Sequence, residues 1–140
     1  MTASNRLVVL SPHLDDAVLG AGALIADEVR AGATVEVWTA FTRQPEPATV
    51  PRRLRPFADY RTRLAEDDRA LAVLGAAARR LDLPERIWRD PPARGLRAAF
   101  RTPADRAGLD QLEPVAAAVA EAFAQPGTRV LAPLGDGHHV

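Results

Sequence analysis

The chain has 140 residues, of which 47% are hydrophobic and 26% charged, a composition typical of a single globular domain spanning 1–140. Its 18 basic and 18 acidic residues give a net charge of zero, which excludes the broad basic surface that binding to nucleic acid or an anionic membrane needs. There is no cysteine and no apolar run of the roughly 18 residues that would span a bilayer, so we expect a cytoplasmic protein. The sequence leaves open whether it forms a homo-oligomer.

Predicted strands and helices alternate along the chain. Short β-branched or alternating apolar runs predict strands, and apolar residues three to four positions apart predict helices. The predicted strands are residues 7–10, 34–41, part of 79–89, and 128–132. The predicted helices are residues 16–31, 58–74, and 109–123, the last beginning near Glu113 because Pro114 follows. Residues 42–57, with four prolines and four arginines, predict a long loop, and residues 90–108 are polar.

The order strand, helix, strand indicates βαβ units, in which consecutive strands are parallel and the crossover is right-handed. The sequence therefore predicts an α/β fold, with a Rossmann-like, mostly parallel sheet of three to five strands flanked by helices. It leaves open whether further C-terminal strands are missing.

The run His13-Leu14-Asp15-Asp16 lies between the first predicted strand and the first predicted helix. Ligands of open α/β sheets bind outside the carboxyl ends of the strands, and imidazole and carboxylate groups suit Zn²⁺. His13 and Asp16 are three positions apart and can point to one side, whereas Asp15 can face a water molecule. The alternative is that Asp15 or Asp16 only caps the helix and that His13 is an ordinary loop residue.

The other two of the three histidines, His138 and His139, follow the last predicted strand. If that strand is parallel to the first and close to it, both histidines reach the same edge of the sheet as His13. All the histidines of the chain would then lie just beyond strand ends, which favours a shared site over incidental placement.

Four segments together resemble the PIG-L/LmbE-type deacetylases. SPHLDDAVLG, from Ser11, resembles their first signature, P-H-P-D-D-E, and APLGDGHHV, from Ala132, resembles the approach to their second, P-L-G-x-G-x-H-x-D-H. Between these, RLAEDDRALAVLGA from Arg63 resembles the family's helix, and LDLPERIWR from Leu81 resembles the stretch after it. The segments occur in the family's order and cover most of the chain.

The resemblance implies a zinc-dependent N-deacetylase acting on a small, N-acetylated, sugar-containing substrate. His13 and Asp16 match zinc ligands, and Asp15 matches the general base that activates the attacking water. His139 matches the histidine that stabilises the oxyanion or protonates the leaving amine, and Arg63 matches a substrate-contacting arginine, although an ordinary exposed helix arginine is equally compatible. Since Asp15 lies at the start of a helix, we expect the helix dipole to favour its ionised form.

Some positions depart from the family pattern. Leu14 replaces a proline and Ala17 a glutamate, which leaves the sugar specificity in doubt. The family's third zinc ligand is expected just past Val140, unless His138 takes its place. A catalytic zinc site uses three protein ligands, so we expect weak zinc binding by these 140 residues.

Two other functions remain open. One is a truncated, non-catalytic metal- or sugar-binding remnant of the same family. The other is a nucleotide-binding Rossmann domain, suggested by Gly20 and Gly22. The nucleotide-binding hypothesis is disfavoured because those glycines fall inside the predicted helix and no G-x-G-x-x-G follows the first strand.

Overall fold

The computed structural model describes residues 5–88 and 112–133 of the chain. The strands are β1 (Arg6–Ser11), β2 (Thr34–Thr39), β3 (Ala77–Arg80) and β4 (Thr128–Leu131). The α-helices are α1 (Asp16–Arg30), α2 (Tyr60–Leu74) and α3 (Leu112–Phe123), and short 3-10 helices occur at Pro47–Thr49, Arg52–Ala58 and Arg86–Trp88. None of the helices within these ranges is long and apolar enough to cross a membrane.

The four strands of the described residues form one sheet in the order β3-β2-β1-β4. β1 is parallel to both β2 and β4, and β2 is parallel to β3. The predicted α/β fold with a parallel, Rossmann-like sheet is therefore confirmed. From β1 the chain adds β2 and β3 on one side of the sheet and then β4 on the other side, so the topological switch point lies between β1 and β4. In open α/β sheets, ligands bind in the crevice at this point, outside the carboxyl ends of the strands.

Helices cover both faces of the sheet because successive strand residues point to opposite sides. On one face, the odd-numbered apolar residues of β1 and β2 pack against α1 and α2, with Ile25 and Leu71 as the most buried helix contributions. On the other face, Val8 and Trp38 pack against Ala118 and Ala122 of α3. The small side chains of α3 allow this helix to lie close to the sheet.

Several element boundaries differ from the sequence predictions. The helix predicted from residue 58 begins at Tyr60, because the carboxylate of Asp59 accepts a hydrogen bond from the Thr62 N–H at 3.1 Å and caps the helix there. The strand predicted within 79–89 begins at Ala77 instead, in register with Glu36; alanine has low β propensity, so the pattern did not show it. The part of the third predicted helix before Leu112, like the polar segment 90–108, lies outside the described residues.

Candidate active site

The turn after β1 is held by the hydroxyl of Ser11, which is only 3% exposed. This hydroxyl donates a hydrogen bond to the His13 carbonyl at 2.7 Å and accepts one from the Ala17 N–H at 3.1 Å. Leu14, 3% exposed, anchors the turn in the interior. The turn is therefore fixed at both ends, and His13, Asp15 and Asp16 project from a rigid frame.

His13 and Asp16 meet on one side of this turn, as their spacing predicted. The Asp16 Oδ2 atom lies 3.2 Å from His13 Nδ1 and accepts a hydrogen bond from the His13 backbone N–H at 3.0 Å. The His13 ring also packs against Phe41, with ring centroids 5.4 Å apart. The imidazole is thus oriented from two sides, with its Nδ1 atom next to a carboxylate oxygen.

This pair fits the donor set of a zinc site. Two ligand atoms on a tetrahedral Zn²⁺, each about 2.0–2.1 Å from the metal, are separated by about 3.3 Å, close to the 3.2 Å between His13 Nδ1 and Asp16 Oδ2. Within residues 5–88 and 112–133, no group of three or more potential ligand side chains is assembled. His138 and His139 lie outside the described residues, so their predicted roles stay predictions. The structure does show that β4, which precedes them, is parallel to β1 and adjacent to it.

Asp15 occupies the position before the first residue of α1, but its carboxylate makes no capping hydrogen bond. The cap function belongs to Ser11, whose hydroxyl satisfies an N–H of the first turn, while the Asp16 carboxylate bonds backwards to His13. Asp15 has φ 74° and ψ −22°, the left-handed region that non-glycine residues rarely adopt. The capping alternative therefore does not account for either aspartate.

Burial and neighbouring charges act on the Asp15 carboxylate in addition to the helix dipole. Partial burial, followed by the nearby Asp67 carboxylate, raises the pKa of Asp15 above its ordinary value of 3.8, and Glu66 and Asp16 add to this increase. Arg63 acts in the opposite direction. Acidic residues of α2 therefore act on Asp15 in addition to the dipole of α1.

Asp67, on α2, was not identified from the sequence. It is only 2% exposed, and its Oδ1 atom accepts a hydrogen bond from the Asp15 backbone N–H at 2.9 Å. Its other oxygen, Oδ2, lies 2.6 Å from Nη1 of Arg80. The signal that could have identified Asp67 is its helical position: it follows Leu64 by three residues and precedes Leu71 by four, which puts a carboxylate on the apolar stripe of the helix.

Arg63 lies near the site, one helical turn before Asp67. Its guanidinium is 5.6 Å from the centre of the Tyr60 ring and 3.9 Å from a carboxylate oxygen of Glu85. Its side chain is 36% exposed, and its charge acts on Asp15. The structure thus places Arg63 within electrostatic range of Asp15 and accessible to solvent, while its predicted contact with substrate stays a prediction.

Three solved structures of deacetylases are similar to this chain. Teicoplanin deacetylase, in its zinc-inhibited form, is 35% identical, with a TM-score of 0.56, over 60% of this chain and 35% of that chain. A40926 pseudoaglycone deacetylase is 33% identical, with a TM-score of 0.56, over 62% of this chain and 40% of that one. N,N'-diacetylchitobiose deacetylase from Pyrococcus horikoshii is 20% identical, with a TM-score of 0.50, over 63% and 32%, and this likeness shows the fold alone.

The chain therefore spans well under half the length of each of these structures. Among curated proteins, none matches the chain significantly in sequence. The PIG-L family, described as GlcNAc-PI de-N-acetylase, matches residues 8–140. Because this match includes nearly the whole sequence, the chain belongs to the PIG-L family.

Proposed function

We propose that this protein is a zinc-dependent N-deacetylase that hydrolyses the acetamide of a small, sugar-containing substrate. The observation that carries the proposal is the convergence of His13 and Asp16, 3.2 Å apart, beside Asp15, whose backbone is held by Asp67. Membership of a family described as GlcNAc-PI de-N-acetylase supports acetamide hydrolysis on a sugar. The similarity to teicoplanin and A40926 pseudoaglycone deacetylases supports the same reaction class.

In this proposal, His13 and Asp16 would hold the metal, and His138 is a candidate for a third ligand. When bound, zinc supplies Lewis-acid chemistry, polarising the acetyl carbonyl and making water more acidic. The remaining roles belong to side chains of this chain.

Asp15 removes a proton from the attacking water through its carboxylate. Its backbone is fixed by the contact with Asp67. His139 then hydrogen-bonds to the oxyanion or protonates the leaving amine. Arg63 offers a guanidinium that can bind hydroxyl or anionic groups of the substrate, and its exposed fraction keeps it accessible. The products are acetate and the free amine.

The direct test compares Asp15→Asn with Asp27→Asn, a matched change of an exposed aspartate on α1. Free amine released from an N-acetylglucosaminyl conjugate is measured by fluorescence derivatisation, and zinc binding by calorimetry. Zinc is titrated upward from one equivalent, because the similar teicoplanin deacetylase exists in a zinc-inhibited form. Asp15→Asn should lower kcat by about 10²–10⁴-fold, the usual contribution of a general base, without loss of zinc, and Asp27→Asn should change neither quantity.

Turnover that persists in Asp15→Asn would remove this residue as the base. His13→Ala and Asp16→Ala should each weaken zinc binding. His138→Ala decides whether His138 is a ligand, with His139→Ala as its neighbouring control. A wild-type chain that binds zinc but releases no amine under any condition would favour the non-catalytic binding function instead.

A further inference from the structure

Asp67 connects the middle of α2 to the backbone of the candidate base. Its Oδ1 atom accepts a hydrogen bond from the Asp15 N–H at 2.9 Å, although the two residues are 52 positions apart in sequence. The carboxylate is 2% exposed. A buried charge of this kind is unfavourable unless its partners compensate it, so its position on the apolar stripe of α2 needs a specific explanation.

Arg80, on β3, fixes the other side of this carboxylate. Nη1 of Arg80 lies 2.6 Å from Asp67 Oδ2, so the two side chains form an ion pair. The angle at this contact is not that of a hydrogen bond. The same guanidinium donates to Thr39 Oγ1 at 3.0 Å and to Asp68 Oδ1 at 2.5 Å. Asp67 is thus held against the sheet, while only its Oδ1 atom is directed at the turn.

Asp67 contacts the backbone of Asp15, which has an unusual conformation. Asp15 has φ 74°, and such conformations persist only where the surrounding structure determines them. The Asp15 carbonyl accepts a hydrogen bond from the Leu19 N–H at 2.9 Å, an ordinary helical bond, whereas the Asp15 N–H is bound by Asp67. The side chain of Asp67 therefore ties the N–H of Asp15 to α2.

We propose that Asp67 is a positioning residue, which fixes the backbone of Asp15 and so orients the Asp15 carboxylate beside the His13–Asp16 pair. This inference rests on the proposed function in assigning a catalytic role to Asp15. In this role Asp67 acts through the Asp15 N–H and not on the substrate directly.

The test uses three variants that separate these roles. Asp67→Ala removes the hydrogen-bond acceptor, and Asp67→Asn keeps a side-chain oxygen that can accept the same bond. Asp68→Ala is the matched control, because it removes the other carboxylate bound to Arg80 without touching Asp15; the Asp68 side chain is 61% exposed. Amide hydrogen exchange of Asp15 is measured by NMR in the zinc-free chain, with the Val9 amide of β1 as the internal reference.

Asp67→Ala should accelerate exchange at Asp15 by about tenfold or more relative to Val9, the effect of losing one hydrogen bond to a charged acceptor. Asp67→Asn should retain most of the protection, and Asp68→Ala should leave the ratio unchanged. Equal acceleration at Asp15 and Val9 in Asp67→Ala, or equal loss in Asp67→Asn and Asp67→Ala, would overturn the proposal, since either would make Asp67 a general stabiliser or a charge partner only.

Kinetics give a second readout. Asp67→Ala should lower kcat for amine release with KM nearly unchanged, and Asp67→Asn should restore most of kcat. A fall in kcat that Asp67→Asn does not restore would contradict positioning through the Asp15 N–H. If the wild-type protein releases no amine, the proposed function fails, while the exchange ratio still decides whether Asp67 fixes the Asp15 backbone.

Discussion

Substituting Ser11 by alanine should destabilise the protein through the turn that carries the candidate site. Two hydrogen bonds are lost, one to the His13 carbonyl and one from the Ala17 N–H. Loss of a helix-capping oxygen costs about 1 kcal/mol, and leaving a buried polar group unsatisfied costs about 1–3 kcal/mol. Because Ser11 is 3% exposed, little water can replace these bonds, and we expect a decrease of about 2–3 kcal/mol in the free energy of unfolding.

The measurement is urea denaturation followed by far-ultraviolet circular dichroism. Thr49→Val is the matched control: the Thr49 hydroxyl donates to the Glu46 carbonyl at 2.7 Å, the same length as the bond from Ser11 to His13, but in an exposed position. Water can take over that bond, so the control should lose less than about 0.5 kcal/mol. If Ser11→Ala costs no more than Thr49→Val, the two bonds do not hold the turn and the reasoning is wrong.

Five further substitutions test the core, the backbone and the charges of the fold. Ile25→Ala, at a fully buried position of α1, should cost about 2–5 kcal/mol, whereas Leu19→Ala on the same helix, 84% exposed, should change thermal stability by less than about 0.5 kcal/mol. Gly75→Ala should cost more than about 1 kcal/mol, because φ is +75° and a Cβ would approach a valine methyl of α1 to 3.0 Å; Gly20→Ala, with nothing within 4 Å, should stabilise α1 by about 0.5–1 kcal/mol. Burial raises the pKa of Glu36, but hydrogen bonds from an indole and a guanidinium outweigh it and hold the pKa below its ordinary value of 4.5. The ionised Glu36 therefore stabilises the fold above that value, and this contribution is lost as the pH falls through the lower folded pKa. In Glu36→Gln, the free energy of unfolding, measured by urea denaturation at a series of pH values, should depend less on pH in that range.

The sequence predicted the architecture well because the relevant signals are local. The aliphatic run of β1 and the alternation of β2 needed only neighbouring residues, and the order of elements then implied parallel strands. Side-chain exposure within α1 was harder to predict. Leu19 and Ile25 both follow the helical period, but only the position of the sheet decides that Ile25 is buried and Leu19 is 84% exposed.

The proximity of the candidate ligands His13 and Asp16 was predicted from the sequence, but the contacts that support their turn were not. His13 and Asp16 are three residues apart, so a turn at a strand end brings them together regardless of the rest of the chain. The contact between Asp15 and Asp67 depends on how α2 packs beside α1, and this follows from the whole sheet order rather than from any local pattern. The effect of burial and of the α2 carboxylates on the pKa of Asp15 could not be predicted for the same reason, and it acts in addition to the expected effect of the helix dipole.

The left-handed backbone conformation of Asp15 explains why contacts from distant elements are needed at this residue. Such a conformation costs about 1–3 kcal/mol at a non-glycine residue, and a local turn sequence offers little to offset it. Here the carbonyl of Asp15 is held by α1, its N–H by α2, and the preceding turn by a buried hydroxyl at the end of β1. β1 is in turn bordered by strands on both sides. The candidate base is thus fixed by elements that meet only in the folded sheet, so a change at Asp67 should disturb it as directly as a change in the turn itself.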